Sequence, residues 1–492
     1  MTTTQSGPIL HRWRAFAVLA IAYFMTIVDL TIVNVVLPTI GRQLQFSESN
    51  LQWVVTAYGL TFGGFLLLGG RAADLLGRRR ILMVGLAAFA AASLAAGLAT
   101  SAGFLIAMRG LQGLSAAIVL PAALSIVMNM FEEGAERNKA LGIWGGIGAS
   151  GATFGLITGG LLTRYIGWET IFYLNVPIAL AALALAPRIV PESRLKTARR
   201  SFDPLGATTV TGGLLLLVYG LSRAPQVGWG SAETIALFAS SAAALVAFVV
   251  IESRVAQPLM PLRIFRSRSV ATANVVGFLL GGSFFGFIFI GTLYMQQVLG
   301  YSALQTGVAW TAASLTSLSL AGLSQWLVTR TSARPVMAVG MTLIGGGVLW
   351  ATQVPVDGHF WGSLAGPFFV AGAGTAFTFV PVSIAGLAGV FERDAGLASG
   401  LLNTSQQLGG AIGVAVASTV AATHLTTLLG DGQSTPAALT GGFQWALWVL
   451  AAIGLLALPT IALIGRRGGG ARELRVAPGL DGALSEARVP QS

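Results

Sequence analysis

Long apolar stretches constrain the fold of this chain more than any other feature. A helix needs about 20 mostly apolar residues to cross the hydrocarbon core of a bilayer, and the sequence contains fourteen stretches of that kind. Hydrophobic residues make up 54% of the 492 residues and charged residues only 10%, whereas soluble domains carry about 25% charged residues. The sequence therefore predicts an all-α integral membrane protein rather than two or three soluble domains.

The limits of the predicted spans follow the apolar runs. They are 15–38, 51–70, 81–100, 104–127, 140–163, 170–187, 204–222, 232–251, 270–298, 306–328, 335–354, 360–390, 400–427 and 441–464. The first run is too long for a cleaved signal peptide and no small-residue cleavage site follows it, so we expect it to remain as a span. Residues 465–492 are rich in Gly, Arg and Glu, which predicts a disordered cytoplasmic tail.

Basic residues are distributed unevenly between alternate loops. If the N-terminus is cytoplasmic, 25 of the 29 Lys and Arg residues lie on the inner side. Arg42, Arg164 and Arg223 lie outside, and Arg109 lies within a span. This asymmetry is the positive-inside rule, and it predicts a multi-pass protein of the cytoplasmic (inner) membrane with both termini in the cytoplasm. Because topology accounts for the net charge of +11, we expect no nucleic-acid partner.

The composition also excludes several kinds of reactive site. The chain has no Cys and only three His, namely His11, His359 and His424, each near the end of an apolar segment. Disulfides, thiolate metal sites and cysteine nucleophiles are therefore ruled out, and a His-based cluster has no basis. We expect no metal, no cofactor and no enzymatic activity.

A weak internal sequence similarity suggests that the chain has two related halves. "GRRRILMVG" at 77–85 and "SARPVMAVG" at 332–340 both run from a short basic turn into a span. Repeats of this kind are typical of transporters, which bind substrate between the halves. The sequence predicts a six-helix bundle at 1–187, a linker with two extra spans at 188–269, a second six-helix bundle at 270–464 and the tail at 465–492.

One acidic residue, Asp29, lies well inside a span, and Thr26 and Asn34 lie on the same span. An ionised carboxylate in the bilayer costs about 2.5–3.5 kcal/mol on insertion scales, and such residues are usually functional. A carboxyl group that either side of the membrane reaches in turn could gain and lose a proton. The alternative is a buried acid that serves helix packing alone.

Arg109 is the one basic residue within a span, and Gln112 follows it by one helical turn. A guanidinium there needs acceptors. Asp29 is a candidate if spans one and four are adjacent, and carbonyls at a helix break such as Pro121 are another. Alternatively, Arg109 could extend to an interface and reach water.

Three further features have both a structural and a functional interpretation. Gly151, Gly155 and Gly159 form a stripe in the fifth span that favours close helix packing. The thirteenth span carries Asn403, Gln406 and Gln407, which could contact substrate or form interhelical hydrogen bonds. An aromatic run in the ninth span, which includes Phe284 and Phe285, could line a pocket for apolar molecules or face lipid and neighbouring helices.

Several motifs in the expected order resemble the major facilitator superfamily. "GGRAADLLGRRRIL" is similar to the G-x-L-A-D-R-x-G-R-K signature between spans two and three. "VDLTIVNVVLP" resembles the first-span signature of the fourteen-span drug:proton antiporter branch, and "MRGLQG" resembles its fourth-span motif. Further similarities are "GWETIFYLNVPIAL", "YMQQVLGYSALQTG" and "GLLNTSQQLGGAIGVA". Together these motifs cover nearly the whole chain.

The resemblance implies a fold of two six-helix bundles plus two inserted helices, and proton-driven export of small hydrophobic compounds by a monomer. Asp29 would carry the proton and Arg109 would modulate its protonation. Substrate-cavity candidates are Thr26, Asn34, Gln112, Phe284, Phe285, Asn403, Gln406 and Gln407. The cytoplasmic gate would comprise Gly70, Asp74, Gly77, Arg78 and Arg79. The fifth-span antiporter motif would comprise Gly151, Gly155, Gly159 and Gly160.

The sequence departs from the family pattern at two points. In "GATFGLITGG", Leu156 stands where the antiporter motif has Pro, and Glu169-Thr170 replaces the usual Arg-Trp. The first departure puts strict antiport in doubt and keeps a proton-linked symporter or facilitator of a small metabolite open as the alternative. A membrane-embedded receptor or enzyme is a third hypothesis, which the lack of a soluble signalling domain and of a His–carboxylate set disfavours.

Overall fold

The computed structural model describes residues 9–46, 51, 53–132, 134–192, 203–255, 258–388, 390 and 394–466. All regular secondary structure in these residues is helical. The side chains of Asn34 and Leu156 lie outside the described part, and so does the predicted tail from residue 467 onward.

The described residues contain fourteen long helices and one short one, besides a 3-10 helix at Leu262–Arg266 and a π-helical segment at Tyr294–Val298 that follows α9. Their bounds are α1 Ile9–Gln43, α2 Trp53–Leu76, α3 Arg78–Gly97, α4 Ala102–Met130, α5 Ala135–Tyr165, α6 Thr170–Ile189, α7 Pro204–Val227, α8 Ala232–Arg254, α9 Arg268–Leu293, α10 Ala303–Arg330, α11 Ala333–Ala351, α12 Phe360–Leu387, α13 Ala395–Gly430, α14 Thr435–Leu455 and α15 Ala457–Arg466. A turn at Leu174 interrupts α6.

Local sequence explains where several helices begin. The hydroxyl of Ser101 accepts a hydrogen bond from the first turn of α4, and Ser231 and Ser267 do the same for α8 and α9. Such N-cap residues satisfy amides that have no partner within the helix. Gly77 separates α2 from α3 with φ of 107°, a backbone conformation that favours glycine.

By length and composition, twelve of the described helices can cross a membrane. The other two long helices are α5 and α10, which have 31 and 28 residues. Both are rich in Gly, Ser and Thr, which lowers their hydropathy, and they pack against each other. That these two also span the membrane remains a prediction.

The packing of the first six helices, α1 to α6, is repeated by α9 to α14. The pairs α1·α5, α2·α4 and α3·α6 correspond to α9·α13, α10·α12 and α11·α14. Across the halves, α2 packs on α13 and α5 packs on α10. Of the inserted pair, α7 contacts both α2 and α13, and α8 packs on α7. These contacts describe the packing, and the bundle limits at 187 and 270 remain predictions.

Candidate functional site

Asp29 of α1 accepts hydrogen bonds from three side chains on two other helices. Nη1 of Arg109 in α4 donates to Oδ2 at 2.7 Å. Nδ2 of Asn175 in α6 and Nε2 of Gln112 in α4 donate to Oδ1 at 2.6 and 3.3 Å. An ionised carboxylate only accepts hydrogen bonds, whereas a carboxylic acid must also place a proton. Three donors therefore suit the ionised form, and a proton on Asp29 would remove the charge that holds its ion pair with Arg109.

Arg109 is fixed by further contacts. Its Nε donates to the carbonyl oxygen of Val54 in α2 at 2.9 Å, and its Nη1 donates to Oε1 of Gln112 at 3.0 Å. Its guanidinium carbon lies 4.4 Å from the ring centroid of Tyr58, which is a cation–π distance. Nη2 is buried without a hydrogen-bond partner in the described part of the chain. The sequence suggested two acceptors for Arg109. Asp29 is one, and Arg109 does bind it. The backbone carbonyl that Arg109 binds is that of Val54 rather than one at the helix break of Pro121.

Gln112 links this ion pair to a fifth helix, α3. Its Nε2 donates to Oγ of Ser93 in α3 at 2.8 Å as well as to Asp29. The polar network therefore joins α1, α2, α3, α4 and α6. A buried network that ties several helices together is costly to leave partly satisfied. Changing the charge of Asp29 must therefore affect the packing of these helices.

The ion pair is sealed from solvent. Asp29 and Arg109 are both 0% exposed. The alternative in which Arg109 extends to an interface is therefore wrong. The sequence also suggested that Asp29 is reached from each side in turn, but in this conformation neither side reaches it. Proton exchange at Asp29 requires the surrounding helices to move.

Asp74, near the end of α2, joins the two halves of the chain. Its Oδ1 and Oδ2 accept hydrogen bonds from the backbone amides of Gly396 and Leu397 at 3.2 and 3.1 Å. These amides belong to the first turn of α13, where backbone N–H groups lack helical partners and the helix dipole is positive. Arg78 also donates to Oδ1, at 2.8 Å. Asp74 and Arg78 are 1% and 4% exposed, so this contact is buried.

Glycines permit this close approach of α2 and α13. A methyl group on Gly396 would lie 2.9 Å from Cγ of Asp74, and one on Gly70 would overlap the carbonyl of Gly396. Four residues later, a methyl group on Gly400 would lie 2.8 Å from the carbonyl oxygen of Leu66. The need for glycine at Gly70 is therefore steric.

Arg79 has a different position from the other predicted gate residues. Its Nη1 donates to the carbonyl oxygens of Pro187 and Val190 at 3.2 and 3.1 Å, and its Nε lies 3.6 Å from a carboxylate oxygen of Glu192. Arg79 thus fastens α3 to the end of α6. Gly70, Asp74 and Arg78 come together at the α2–α13 contact, and Gly77 forms the turn that follows.

The glycine stripe of α5 packs on α1, as the sequence predicted. Methyl groups on Gly151 and Gly159 would lie 2.7 and 2.8 Å from atoms of α1, and one on Gly155 would overlap the hydroxyl oxygen of Thr31 in α1. Gly160 faces Leu304 of α10 at an ordinary contact distance of 3.5 Å. The stripe therefore lets α5 approach the helix that carries Asp29.

The other cavity candidates contact either their own helix or a neighbouring one. Thr26 donates to the carbonyl oxygen of Tyr23 at 2.7 Å, and Asn403 donates to that of Ser399 at 2.9 Å. The ring of Phe284 packs against those of Phe285 and Phe379, with centroids 5.8 and 6.1 Å apart. Gln406 is buried beside Gly277 of α9, and Gln407 is partly exposed. Apart from Gln112, these residues lie outside the Asp29 network.

Sequence reasoning missed several contributors. Asn175 lies within "GWETIFYLNVPIAL", where an amide in an apolar run was a usable signal. Ser93, Gly396 and Leu397 gave no such signal. Leu397 and Asp74 are 323 residues apart in the sequence, and no local sequence pattern predicts a contact over that separation.

Comparisons with known proteins agree with this architecture. The family model described as Major Facilitator Superfamily matches residues 19–414 and 273–479. The cephamycin export protein CmcT of Amycolatopsis lactamdurans is 38% identical, covering 86% of each chain. The puromycin resistance protein pur8 of Streptomyces alboniger is 35% identical, covering 92% of this chain and 91% of that protein.

A third relative and a solved structure are also similar to this chain. The multidrug resistance protein Stp of Mycobacterium tuberculosis is 35% identical over 82% of this chain and 75% of that protein. The crystal structure of the human organic anion transporter MFSD10 superposes with a TM-score of 0.67 at 16% identity, covering 92% of this chain and 100% of that one. At that identity the superposition shows a shared fold.

Proposed function

Because the chain belongs to the major facilitator superfamily, a family of membrane transporters and not of enzymes, we propose that it exports hydrophobic drugs or antibiotics in exchange for protons. Three relatives are named for cephamycin export, puromycin resistance and multidrug resistance, which supports a substrate of this class. We place the protein in the cytoplasmic membrane with both termini in the cytoplasm, because the Lys and Arg residues concentrate in alternate loops.

The observation that carries this proposal is the ionised Asp29 with its three donors. Protonation of Asp29 removes the negative charge that Arg109 faces at 2.7 Å and weakens all three hydrogen bonds to the carboxyl group. The proton thereby changes contacts between α1, α4 and α6. A site whose protonation changes helix packing is what exchange of a proton for a substrate requires.

The α2–α13 contact supplies the gate of this cycle. While Asp74 binds the first turn of α13, the two halves are held together at the end that we assign to the cytoplasm. Opening that side breaks both amide hydrogen bonds, and Arg78 remains as a partner for Asp74. Alternating access follows if the Asp29 network and this contact change together.

One proton per cycle is energetically sufficient. A charge that crosses 100 mV releases about 2.3 kcal/mol. At roughly 150 mV, one proton exchanged for a neutral substrate could therefore sustain a substrate gradient of a few hundred-fold. For a monovalent cation such as ethidium the exchange moves no net charge, and the pH gradient drives it. We propose a single coupled proton, no cofactor and a monomer as the working unit.

Transport by everted membrane vesicles tests the proposal. Vesicles that carry the protein and are energised by respiration should take up ethidium, and Asp29→Asn should abolish the uptake while the protein still folds and inserts. Asp357→Asn, a change at an exposed carboxyl, is the matched control and should transport normally. Undiminished uptake by Asp29→Asn would refute the role of Asp29. Energised movement of substrate out of the vesicles would favour a symporter.

A further inference from the structure

The inserted helix pair lies against the joint between the two halves. Helix α7 contacts both α2 and α13, the helices that Asp74 links. Buried apolar side chains fill this junction: Leu67, Ala207, Val210, Leu214, Phe248, Leu259, Met260, Leu397 and Leu401. Because α7 touches both sides of the joint, separation of α2 from α13 must break one set of these contacts.

Two buried carboxyl groups meet at one end of this pair. Asp203 precedes α7 and Glu252 lies near the end of α8, and they are 7% and 4% exposed. Both face Gly206: a methyl group there would lie 2.6 Å from Oδ2 of Asp203 and 2.5 Å from Oε1 of Glu252. The two oxygens are therefore no more than about 5 Å apart. Two buried carboxylates at that separation resist simultaneous ionisation.

The two carboxyl groups have unequal hydrogen bonding. The two oxygens of Glu252 accept the backbone amides of Leu259 and Met260 at 3.1 and 2.9 Å, which suits an ionised group. Oδ1 of Asp203 accepts the amide of Gly206 at 2.9 Å. Oδ2 of Asp203 is buried without a hydrogen-bond partner in the described residues. That oxygen and Oε1 of Glu252 approach the same face of Gly206.

Among the described basic residues, Arg71 of α2 is the one whose charge acts on Glu252. Its Nη2 donates to the carbonyl oxygen of Pro258 at 3.3 Å, one residue before the amides that bind Glu252. Arg263 in the following segment lies 3.8 Å from Asp394 instead. Arg71 directly follows Gly70 of the α2–α13 contact. The carboxyl pair and the contact are thus connected through α2.

We propose that Asp203 and Glu252 form a second proton-binding site, which holds one shared proton while α2 and α13 are in contact. With the proton bound, Asp203 donates to Glu252 and the segment at 258–260 stays packed over the junction. When the proton is lost, two like charges remain in a buried space, and water must enter to relieve their repulsion. That entry separates α7 from its neighbours and weakens the contact.

The site responds to pH in a defined direction. Because the closed contact binds the shared proton more tightly than the open one, a rise in pH shifts the protein toward the open form. One linked proton changes this equilibrium by at most about tenfold per pH unit. The inference rests on the gate in the proposed function, but it does not require that Asp29 carries the transported proton.

A single introduced thiol can measure opening of the contact. The chain has no natural cysteine, and Ser399 of α13 is 0% exposed with no hydrogen-bond partner for its hydroxyl in the described residues. Ser399→Cys in lipid nanodiscs would be labelled with N-ethylmaleimide from pH 6 to 8.5. The labelling rate of Ser399→Cys would be divided by that of Ser332→Cys, a thiol at an exposed position. This normalisation removes the pH dependence of the thiol's own reaction with N-ethylmaleimide.

We expect the normalised rate to rise with pH by up to about tenfold per unit. Asp203→Asn, which cannot ionise and can donate to Glu252, should give a low rate that does not vary with pH. Glu252→Gln should also remove the pH dependence, but at a higher rate, because its NH₂ faces one of the two backbone amides that Glu252 binds. Glu233→Gln, at the other end of α8, is the matched control and should behave as the parent. If one of the first two variants does not fold, the other still decides the outcome.

Three results would overturn the inference. They are a parent rate that does not vary with pH, a pH dependence that survives Asp203→Asn, and a rate that follows sodium concentration instead of pH. Asp74→Asn should raise labelling at every pH; if it does not, the contact is not the gate and the inference falls with it. Asp29→Asn should keep the parent's pH dependence, so failure of the vesicle test leaves this result interpretable.

Discussion

Replacing Asp74 with Asn removes the charge that joins α2 to the first turn of α13. The carboxylate accepts two amides there, at 3.2 and 3.1 Å, and a hydrogen bond to a charged group contributes about 1.5–3 kcal/mol. Asn can accept one of these amides, but its own NH₂ then faces the other. The variant also loses the interaction of a charge with the helix dipole, about 0.3–1 kcal/mol.

These losses set the expected size of the effect. The contact should weaken by roughly 2–4 kcal/mol relative to the open form, which is roughly a 30- to 800-fold change in the equilibrium. Arg78 would also lose its charged partner in a buried site, which disfavours the closed form further. A population that is mostly closed should therefore become mostly open.

Double electron–electron resonance measures this shift directly. Spin labels at Leu76→Cys and Ser332→Cys occupy exposed positions in different halves, and the natural chain has no competing thiol. Asp74→Asn should move the distance distribution to longer values. Ser125→Ala, which removes a 3.4 Å hydrogen bond to Asp74 from within the first half, should leave the distribution nearly unchanged. Overlapping distributions for Asp74→Asn and the parent would refute the reasoning.

Two further predictions concern helix packing and the Asp29 network. Gly155→Leu places side-chain atoms against the carbonyl oxygen of Val28, which lies 2.8 Å from the position of a first methyl group. The substitution should destabilise the protein by about 1–3 kcal/mol in thermal unfolding. Gly212→Ala, where the added methyl group has open space, should show no comparable loss. Asn175→Leu removes the 2.6 Å hydrogen bond to Asp29, a bond that favours the ionised carboxylate. The pH profile of ethidium transport should therefore shift to higher pH in this variant and stay unchanged in Asn403→Ala. An unshifted profile for Asn175→Leu would count against the role of Asn175.

The sequence alone predicted the long helices and one important contact, that between Asp29 and Arg109. Hydropathy predicted all fourteen long helices because an apolar run of about 20 residues matches the thickness of a bilayer and exceeds what most soluble cores can bury. It placed their ends less well: α1 was expected at 15–38 but extends from Ile9 to Gln43, because a helix can continue beyond the apolar core. The Asp29–Arg109 contact was a candidate because a buried guanidinium requires an acceptor.

The remaining contacts depend on packing that no local pattern encodes. Leu397 binds Asp74 through its backbone amide, so its side-chain type carries no signal. Glu252 was missed because it lies one residue beyond the predicted span 232–251, where a charged residue is ordinary. Only the return of residues 258–260 over α8 makes it a buried group.

Proton release on ligand binding tests the central claim most directly. The parent here is purified protein that carries Asp203→Asn, so that the proposed second site contributes no proton. In a weakly buffered detergent solution with a pH indicator, acid enough that Asp29 is protonated before ligand is added, it would be titrated with ethidium, and bound ligand would be counted in parallel. We predict close to one proton released per bound ethidium for the parent and none for Asp29→Asn. Equal release by both proteins, or no release by the parent, would contradict the exchange of a proton on Asp29 for substrate.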